Sequence, residues 1–289
     1  MRKWKLIFLK RFVKSYPDTN KVLLCKIYKV PRSSLYYRKK QDVLDRINKT
    51  KIQLVHIFDP YYGHRRISYK LNCNKKKTQR IMQKYRIIAY SRKRKFRKPW
   101  DKNIAHMGVE NLKKSTKIST LHQVWNTDFT HLYYKEKEFY LSTILDDLGK
   151  NVVGYKVWFH HGKELILETL RDAVHKAKTT PLILHSDQGS EYRSYEYFDA
   201  LKRYNITASM SRKSSPWENG WQESFYWKLK FELWNLNRFK TFEEVLEAIH
   251  LWIYYYNNER IHTTLKMSPK DFKEKHNQRN LSKLTVSNN

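Results

Sequence analysis

Nearly all the excess positive charge of this chain lies in its first 120 residues, and that partition limits how the chain can fold. The whole chain has 59 Lys and Arg against 27 Asp and Glu. Residues 1–120 hold 35 basic and 6 acidic residues, a net of 35 − 6 = +29, which leaves 24 − 21 = +3 for residues 121–289. Self-repulsion at that density opposes compaction unless a polyanion relieves it, and Lys and Arg gain affinity by displacing counterions condensed on phosphate. A boundary is therefore expected near residue 118. With 40% hydrophobic and 15% aromatic residues, a real core is available, so wholesale disorder is excluded. No apolar run approaches the roughly 20 residues of a membrane span, and Leu6 to Leu9 is too short for a signal peptide. Cys25 and Cys73, with no CxxC pair, argue against a disulfide scaffold or structural zinc site and fit a reducing cytoplasm.

Upstream of the boundary the segments read as short helices. Between Lys21 and Tyr37, an apolar set (Val22, Leu23, Cys25, Ile27, Val30) breaks at Pro31-Arg32-Ser33-Ser34 and resumes at Leu35, as a helix-turn-helix requires. A second helical unit covers roughly 42–90. Then Arg92-Lys93-Arg94-Lys95-Phe96-Arg97-Lys98 places six positive charges in seven residues, an arm suited to lie on phosphate or a linker that orders on binding.

From about 121 the period changes to two. Val124, Asn126, Asp128, Thr130 and Leu132 share one face of a strand; Phe139–Leu145 and Asn151–Phe159 complete an antiparallel meander. A helix over 163–178, a buried strand over 181–185, a helix over 194–204 and a short strand over 206–210 follow. A long helix over 221–237 comes next, and Thr241 with Glu244 forms a capping box for the last amphipathic helix. That order predicts an α/β fold: a ribonuclease-H-like core with a mixed five-stranded sheet, preceded by a small all-α DNA-binding region.

Three carboxylates fall where such a fold would gather them. Asp128 interrupts the first strand, Asp187 follows the fourth, and Glu223 lies early in the long helix. Asp187 could instead shape a turn and Glu223 could sit on a solvated face; the joint arrangement favours convergence. In-line chemistry at a phosphodiester uses two Mg²⁺ ions about 3.5–4 Å apart, held by hard carboxylate ligands. Asp128, Asp187 and Glu223 are the expected catalytic metal ligands for two Mg²⁺, with Mn²⁺ as a substitute.

The same residues carry a family likeness. Trp125-Asn126-Thr127-Asp128 and Leu184 to Tyr192 resemble the first two catalytic blocks of bacterial insertion-sequence transposases. Trp217-Glu218-Asn219, Glu223-Ser224-Phe225 and Leu229-Lys230 resemble the third, with Glu223 35 residues past Asp187. Tyr256-Asn257-Asn258, Arg260, His262, Leu265 and Ser268-Pro269 resemble the closing block. Tyr62-Gly63-His64-Arg65-Arg66-Ile67 resembles an upstream helix-turn-helix block. The likeness is to the IS-three family of the DDE transposase and retroviral-integrase superfamily, over about residues 20–270.

The resemblance implies a recombinase that binds the terminal inverted repeats of its own element. One nicked end attacks the other to form a circle, which is later inserted into target DNA. Lys230 and Asn219 would contact DNA near Glu223, and Arg65, Arg66, Arg92, Lys93, Arg94, Lys95, Arg97 and Lys98 would contact it elsewhere. Asp146 matches a family acid whose usual arginine partner is here Lys150, and it reads as structural support. His185 and His262 read as scaffold. The expected organisation is a basic helix-turn-helix-like region (1–41), a second such DNA-binding domain (42–90), a basic linker or arm (91–120), the catalytic core (121–275) and a tail (276–289). Double-stranded DNA, both element ends and target, is the expected partner, with a homodimer or higher assembly joining two ends. An upstream reading-frame partner or fusion is a further expectation, as is a cytoplasmic, nucleoid-associated location without membrane. A nuclease that cuts without joining and a non-catalytic DNA-binding regulator are the alternatives.

Overall fold

The structure, a computed structural model, describes residues 2–36, 40–90, 109–211 and 220–287. The chain divides into two compact units: Met1–Ile67 with Cys73–Ala89, and Ser68–Asn72 with Tyr90–Asn289.

The first unit is helical. Helix α1 (Arg2–Ser15) is followed by α2 (Lys21–Ile27) and α3 (Arg32–Tyr36), then by α4 (Lys40–Phe58), α5 (His64–Lys70) and α6 (Lys75–Lys84). Asn20 and Asn74 cap α2 and α6 by accepting two backbone N–H groups each, which supplies donors the first turn otherwise leaves orphaned. The turns between α2 and α3 and between α5 and α6 pass through left-handed residues, Lys29 and Asn72. Ile52, Tyr62, Ile67, Ile81 and Met82 are buried in this unit. So is Asp45 of α4, which accepts from Arg80 at 2.5 and 2.8 Å and from Lys84 at 2.8 Å. Those two cations hold its carboxyl well below the usual carboxylate range.

The second unit has the expected mixed sheet. After the short α7 (Leu112–Ser115) come β1 (Val124–Tyr134), β2 (Lys137–Asp146) and β3 (Val152–Trp158). They are followed by α8 (Lys163–Ala177), β4 (Ile183–Ser186), α9 (Tyr195–Arg203), β5 (Thr207–Met210) and the helices α10 (Gly220–Leu233), α11 (Phe242–Asn258) and α12 (Pro269–Ser287). The strand order is β3-β2-β1-β4-β5; β1, β2 and β3 pair antiparallel, while β4 is parallel to β1 and β5. The β1–β2 hairpin closes with the two residues Lys135 and Glu136, both at positive φ, as a turn matching the strand twist requires.

Period-two alternation sends the two faces of β1 into different cores. Trp125 packs with α8 and α9 on one face, whereas Leu132 and Tyr134 pack with α10 and α11 on the other. Asp128 shares the parity of Leu132, and so the face towards α10 and α11. A close approach locks α8 onto the sheet: a Cβ at Gly154 would come within 2.6 Å of the Ala173 backbone. Thr241 caps α11 through the Glu244 N–H, but the Glu244 carboxylate returns to the Lys240 N–H rather than to that of Thr241.

The long helix ends at Leu233, four residues short of the expected 237, because Trp234 turns left-handed (φ 60°) and Asn235 opens a separate 3₁₀ turn, Leu236–Arg238. At the other end of the unit, α12 continues through residues 276–287.

Candidate active site

The site is assembled by strand register. Pairs Trp125↔Leu184 and Asn126↔His185 align β1 with β4, and Asp128 and Asp187 each lie two residues past the last of these pairs. Directly opposite Asp128 on β2 stands Thr143, wholly buried.

Helix α10 is fastened to this point by hydrogen bonds. Gln222 Nε2 donates to Thr143 Oγ1 at 2.8 Å and to Thr143 O at 3.2 Å. The Tyr226 hydroxyl donates to the Asp128 carbonyl, so its single proton is committed there and Thr143 Oγ1 donates to Tyr226 Oη at 2.8 Å. Thr143, Gln222 and Tyr226 thus form one buried hydrogen-bonded chain that sets α10 against the middle of β1. Glu223 lies three residues before Tyr226 and Lys230 four residues after it, so all three share a helix face.

Electrostatics couples the three acids. The Asp128 carboxyl is pushed well above the usual range, first by burial, then by the charges of Asp187 and Glu223. The Phe129 N–H, donating at 2.8 Å, and the Lys230 ammonium pull the other way. Asp187 is also raised by burial, against a hydrogen bond from the Gly189 N–H at 2.9 Å. Its turn-shaping role is therefore real and uses one oxygen. Tyr192 and Tyr226, both buried, feel the charge of Asp128 as well; burial and that charge push both phenols well above the usual range. At Lys230 partial burial lowers the ammonium, and Asp128 offsets part of that effect.

The donor set fits a hard divalent cation: carboxylate oxygens that repel one another around a partly buried Asp128. Among the described residues, no three His, Cys, Asp or Glu side chains are already drawn together tightly enough to hold a metal as they stand.

The other expected residues fall as follows. Arg65 and Arg66 are on α5; Arg66 lies over the Tyr62 ring, 5.4 Å from its centroid. Asn219 and the arm residues Arg92, Lys93, Arg94, Lys95, Arg97 and Lys98 lie outside the described residues. Asp146 is wholly buried and accepts the His122 N–H at 2.5 Å and the Gly149 N–H at 2.6 Å, fixing the turn between β2 and β3. Lys150 pairs not with Asp146 but with Asp147, at 3.5 Å, and lies 4.3 Å over the Trp221 ring, because the backbone N–H donors already occupy the Asp146 carboxylate. His185 is buried and its Nδ1 meets Ser209 Oγ at 2.9 Å, a brace between β4 and β5. Sequence reasoning missed Thr143, Gln222, Tyr226 and Tyr192. The first was within reach, since a two-residue turn at 135–136 makes 143 the partner of 128.

Comparison with known proteins agrees with this architecture. Integrase core domain models match residues 120–216 and 204–269. The chain is 34% identical to the transposase of insertion sequence element IS904 from Lactococcus lactis, over 82% of this chain and 97% of that protein. It is 33% identical to an uncharacterized transposase-like protein of Haemophilus influenzae (70% and 94%) and 31% identical to the 31 kDa protein of insertion element IS600 from Shigella sonnei (88% and 99%). A chain of the simian T-cell lymphotropic virus intasome is also similar, at 15% identity and a TM-score of 0.48, covering 73% of this chain and 74% of that one. The chain belongs to the insertion-sequence transposases of the IS-three family, with an integrase core of the DDE and retroviral-integrase superfamily.

Proposed function

We propose that this transposase cuts and joins DNA strands at the terminal inverted repeats of its own element, with Asp128, Asp187 and Glu223 holding two Mg²⁺ ions. The observation that carries this reading is that the negative charges of Asp187 and Glu223, from β4's end and α10, both bear on the partly buried carboxyl of Asp128. When bound, the metal pair supplies a reactive oxygen nucleophile and stabilises the leaving oxygen of an in-line displacement. The protein's own part is geometric. The Gln222–Thr143–Tyr226 chain keeps α10 seated, so that Glu223 stays on the Asp128 side of the sheet. Lys230, within reach of Asp128's charge, contacts the phosphate of a terminal nucleotide. The basic helical unit and the arm at 92–98 supply further phosphate contacts, and two ends are brought together by at least two copies of the chain.

The test uses a labelled duplex bearing the element's terminal repeat, full-length protein, and Mg²⁺ or EDTA. Wild type is expected to nick and join in Mg²⁺ alone, while Glu223→Gln binds the duplex yet gives neither product. A parallel readout needs no turnover: Mg²⁺ or Mn²⁺ should raise the melting temperature of wild type but not of Asp128→Asn. Normal joining by Glu223→Gln removes the catalytic assignment; nicking without joining by wild type favours a nuclease; binding alone by wild type favours a regulator.

A further inference from the structure

The front of α10 has a second fastening besides Gln222, and it is built from charge. Asp147, which follows β2, is tied to the start of β1 by its N–H, donated to the Val124 carbonyl at 2.9 Å. Its Oδ1 receives three donors: Asn126 Nδ2 at 3.1 Å, Lys113 Nζ at 3.3 Å and Lys150 Nζ at 3.5 Å. Lys113, from α7, also donates to Asn126 Oδ1 at 2.6 Å. The Lys150 ammonium lies 4.3 Å from the centroid of the Trp221 ring, in the first turn of α10. We propose that Asp147 and Lys150 are positioning residues: through Trp221 they set the angle at which α10 presents Glu223 beside Asp128. The inference deepens the reading of the three acids as the metal site and rests on it.

Helix geometry explains why a second fastening matters. Gln222 and Tyr226 are four residues apart and lie on one line along α10. Their bonds to Thr143 and to the Asp128 carbonyl therefore still let the helix rock about that line. Trp221 stands about 100° around the helix from Gln222, and Glu223 about 100° on the other side. Rocking thus swings Trp221 and Glu223 together, and holding one holds the other. Trp221 packs on the core beneath α10, and its indole N–H has no hydrogen-bond partner among the described residues. Packing and the ammonium on its face orient the ring.

The cluster is suited to keeping that ammonium in place. One carboxylate serves two ammonium groups, and the side chains of Lys113, Asp147 and Lys150 are only 20%, 12% and 20% exposed. Burial lowers the Lys113 ammonium, Asp147 offsets part of that, and Lys150 adds to it. Two like charges at one oxygen repel, so a ring face, which attracts a cation, gives Lys150 a second partner. Asn126 stands two residues before Asp128 on the same face of β1. The cluster therefore ties the helix that carries Glu223 to the strand that carries Asp128, without touching the reacting atoms.

The experiment compares Lys150→Met with Lys150→Arg in full-length protein on the labelled terminal-repeat duplex, well below each variant's melting temperature. Residue 150 is left-handed at φ 57°, and all three side chains carry a Cβ, so the backbone cost is common to them. Lys150→Met is expected to bind the duplex within about 2-fold of wild type but to nick and join about 10- to 100-fold more slowly. Its half-maximal Mg²⁺ concentration should rise, and the melting-temperature gain from Mn²⁺ alone, with no DNA present, should shrink. Lys150→Arg keeps a cation on the ring and should stay within about 3-fold of wild type on every readout. Asp147→Asn, which takes the carboxylate from Lys150, should move the same readouts in the direction of Lys150→Met. Trp221→Leu reaches the contact from the helix side, and adding Lys150→Met to it should cost nothing further. The proposal is overturned if Lys150→Met keeps wild-type turnover and metal requirement, if Lys150→Arg loses as much as Lys150→Met, or if the losses of Lys150→Met and Trp221→Leu add. An inert Glu223→Gln beside a normal Lys150→Met would sink this inference and leave the acids standing. A normal Glu223→Gln would remove the reading of the acids itself.

Discussion

Helix α10 carries glutamates near both of its ends, and their surroundings are opposite. Glu232, in the last turn, meets the Arg260 guanidinium at 2.5 and 3.1 Å and accepts the Trp252 indole N–H at 3.1 Å. Both charged side chains of that pair are nearly inaccessible, 2% and 6% exposed. Burial works against the charge on Arg260, and Glu232 more than restores it. Glu223, in the first turn, instead adds its negative charge to that of Asp187 at Asp128. The same residue type on the same helix is neutralised by the protein at one end and gathered with other acids at the other. A charge that serves the fold brings its counterion in the chain, as Glu232 does; Glu223 on the reading proposed above would serve a divalent cation.

Substitutions can break this contrast. Glu223→Gln should lower cleavage and joining by roughly 10⁴-fold while leaving the melting temperature near that of wild type. Comparable loss of fold stability in that variant would erase the distinction. Glu232→Gln should do the reverse, costing about 3–5 kcal/mol in denaturant unfolding because a buried guanidinium loses its partner. The double change Glu232→Leu with Arg260→Met should recover most of that loss, since an apolar pair of similar size needs no counter-charge. Tyr226→Phe sharpens the comparison from within: it removes the donor to the Asp128 carbonyl, an expected cost of about 1–3 kcal/mol by thermal or urea unfolding. Smallest in stability is the arm. Replacing Arg92, Lys93, Arg94 and Lys95 by Ala should leave the fold intact and flatten the slope of log K against log salt by up to about 3.6, or 0.9 per phosphate contact. An unchanged slope in a binding titration would show that the arm does not touch phosphate.

Much of the second unit was legible because its signals are periodic. Alternation from Val124 to Leu132 marks β1 and its two faces, and Thr241 marks the start of α11 by a cap whose reciprocal half goes to Lys240 instead. Asp128 stood out because a carboxylate on a buried strand needs a reason. Less legible were features set by contacts between distant segments. Thr143, Gln222 and Tyr226 look like ordinary members of an amphipathic strand and helix until register places them together. The end of α10 was misread because no glycine or proline marks it; the stop comes from Trp234 in a conformation that its residue type does not announce. Lys150 was matched with the wrong acid because two neighbouring aspartates, Asp146 and Asp147, point their charges into different tasks.

The Glu232–Arg260 pair also sets a limit on trimming the protein. Arg260 follows the last turn of α11, so a chain cut at the end of that helix would strand Glu232 in an apolar interior and unmoor the rear of α10. The loosened helix is the one that carries Glu223 at its front. A minimal fragment of the core must therefore extend past residue 260, even though none of the three acids proposed to hold metal lies beyond α11.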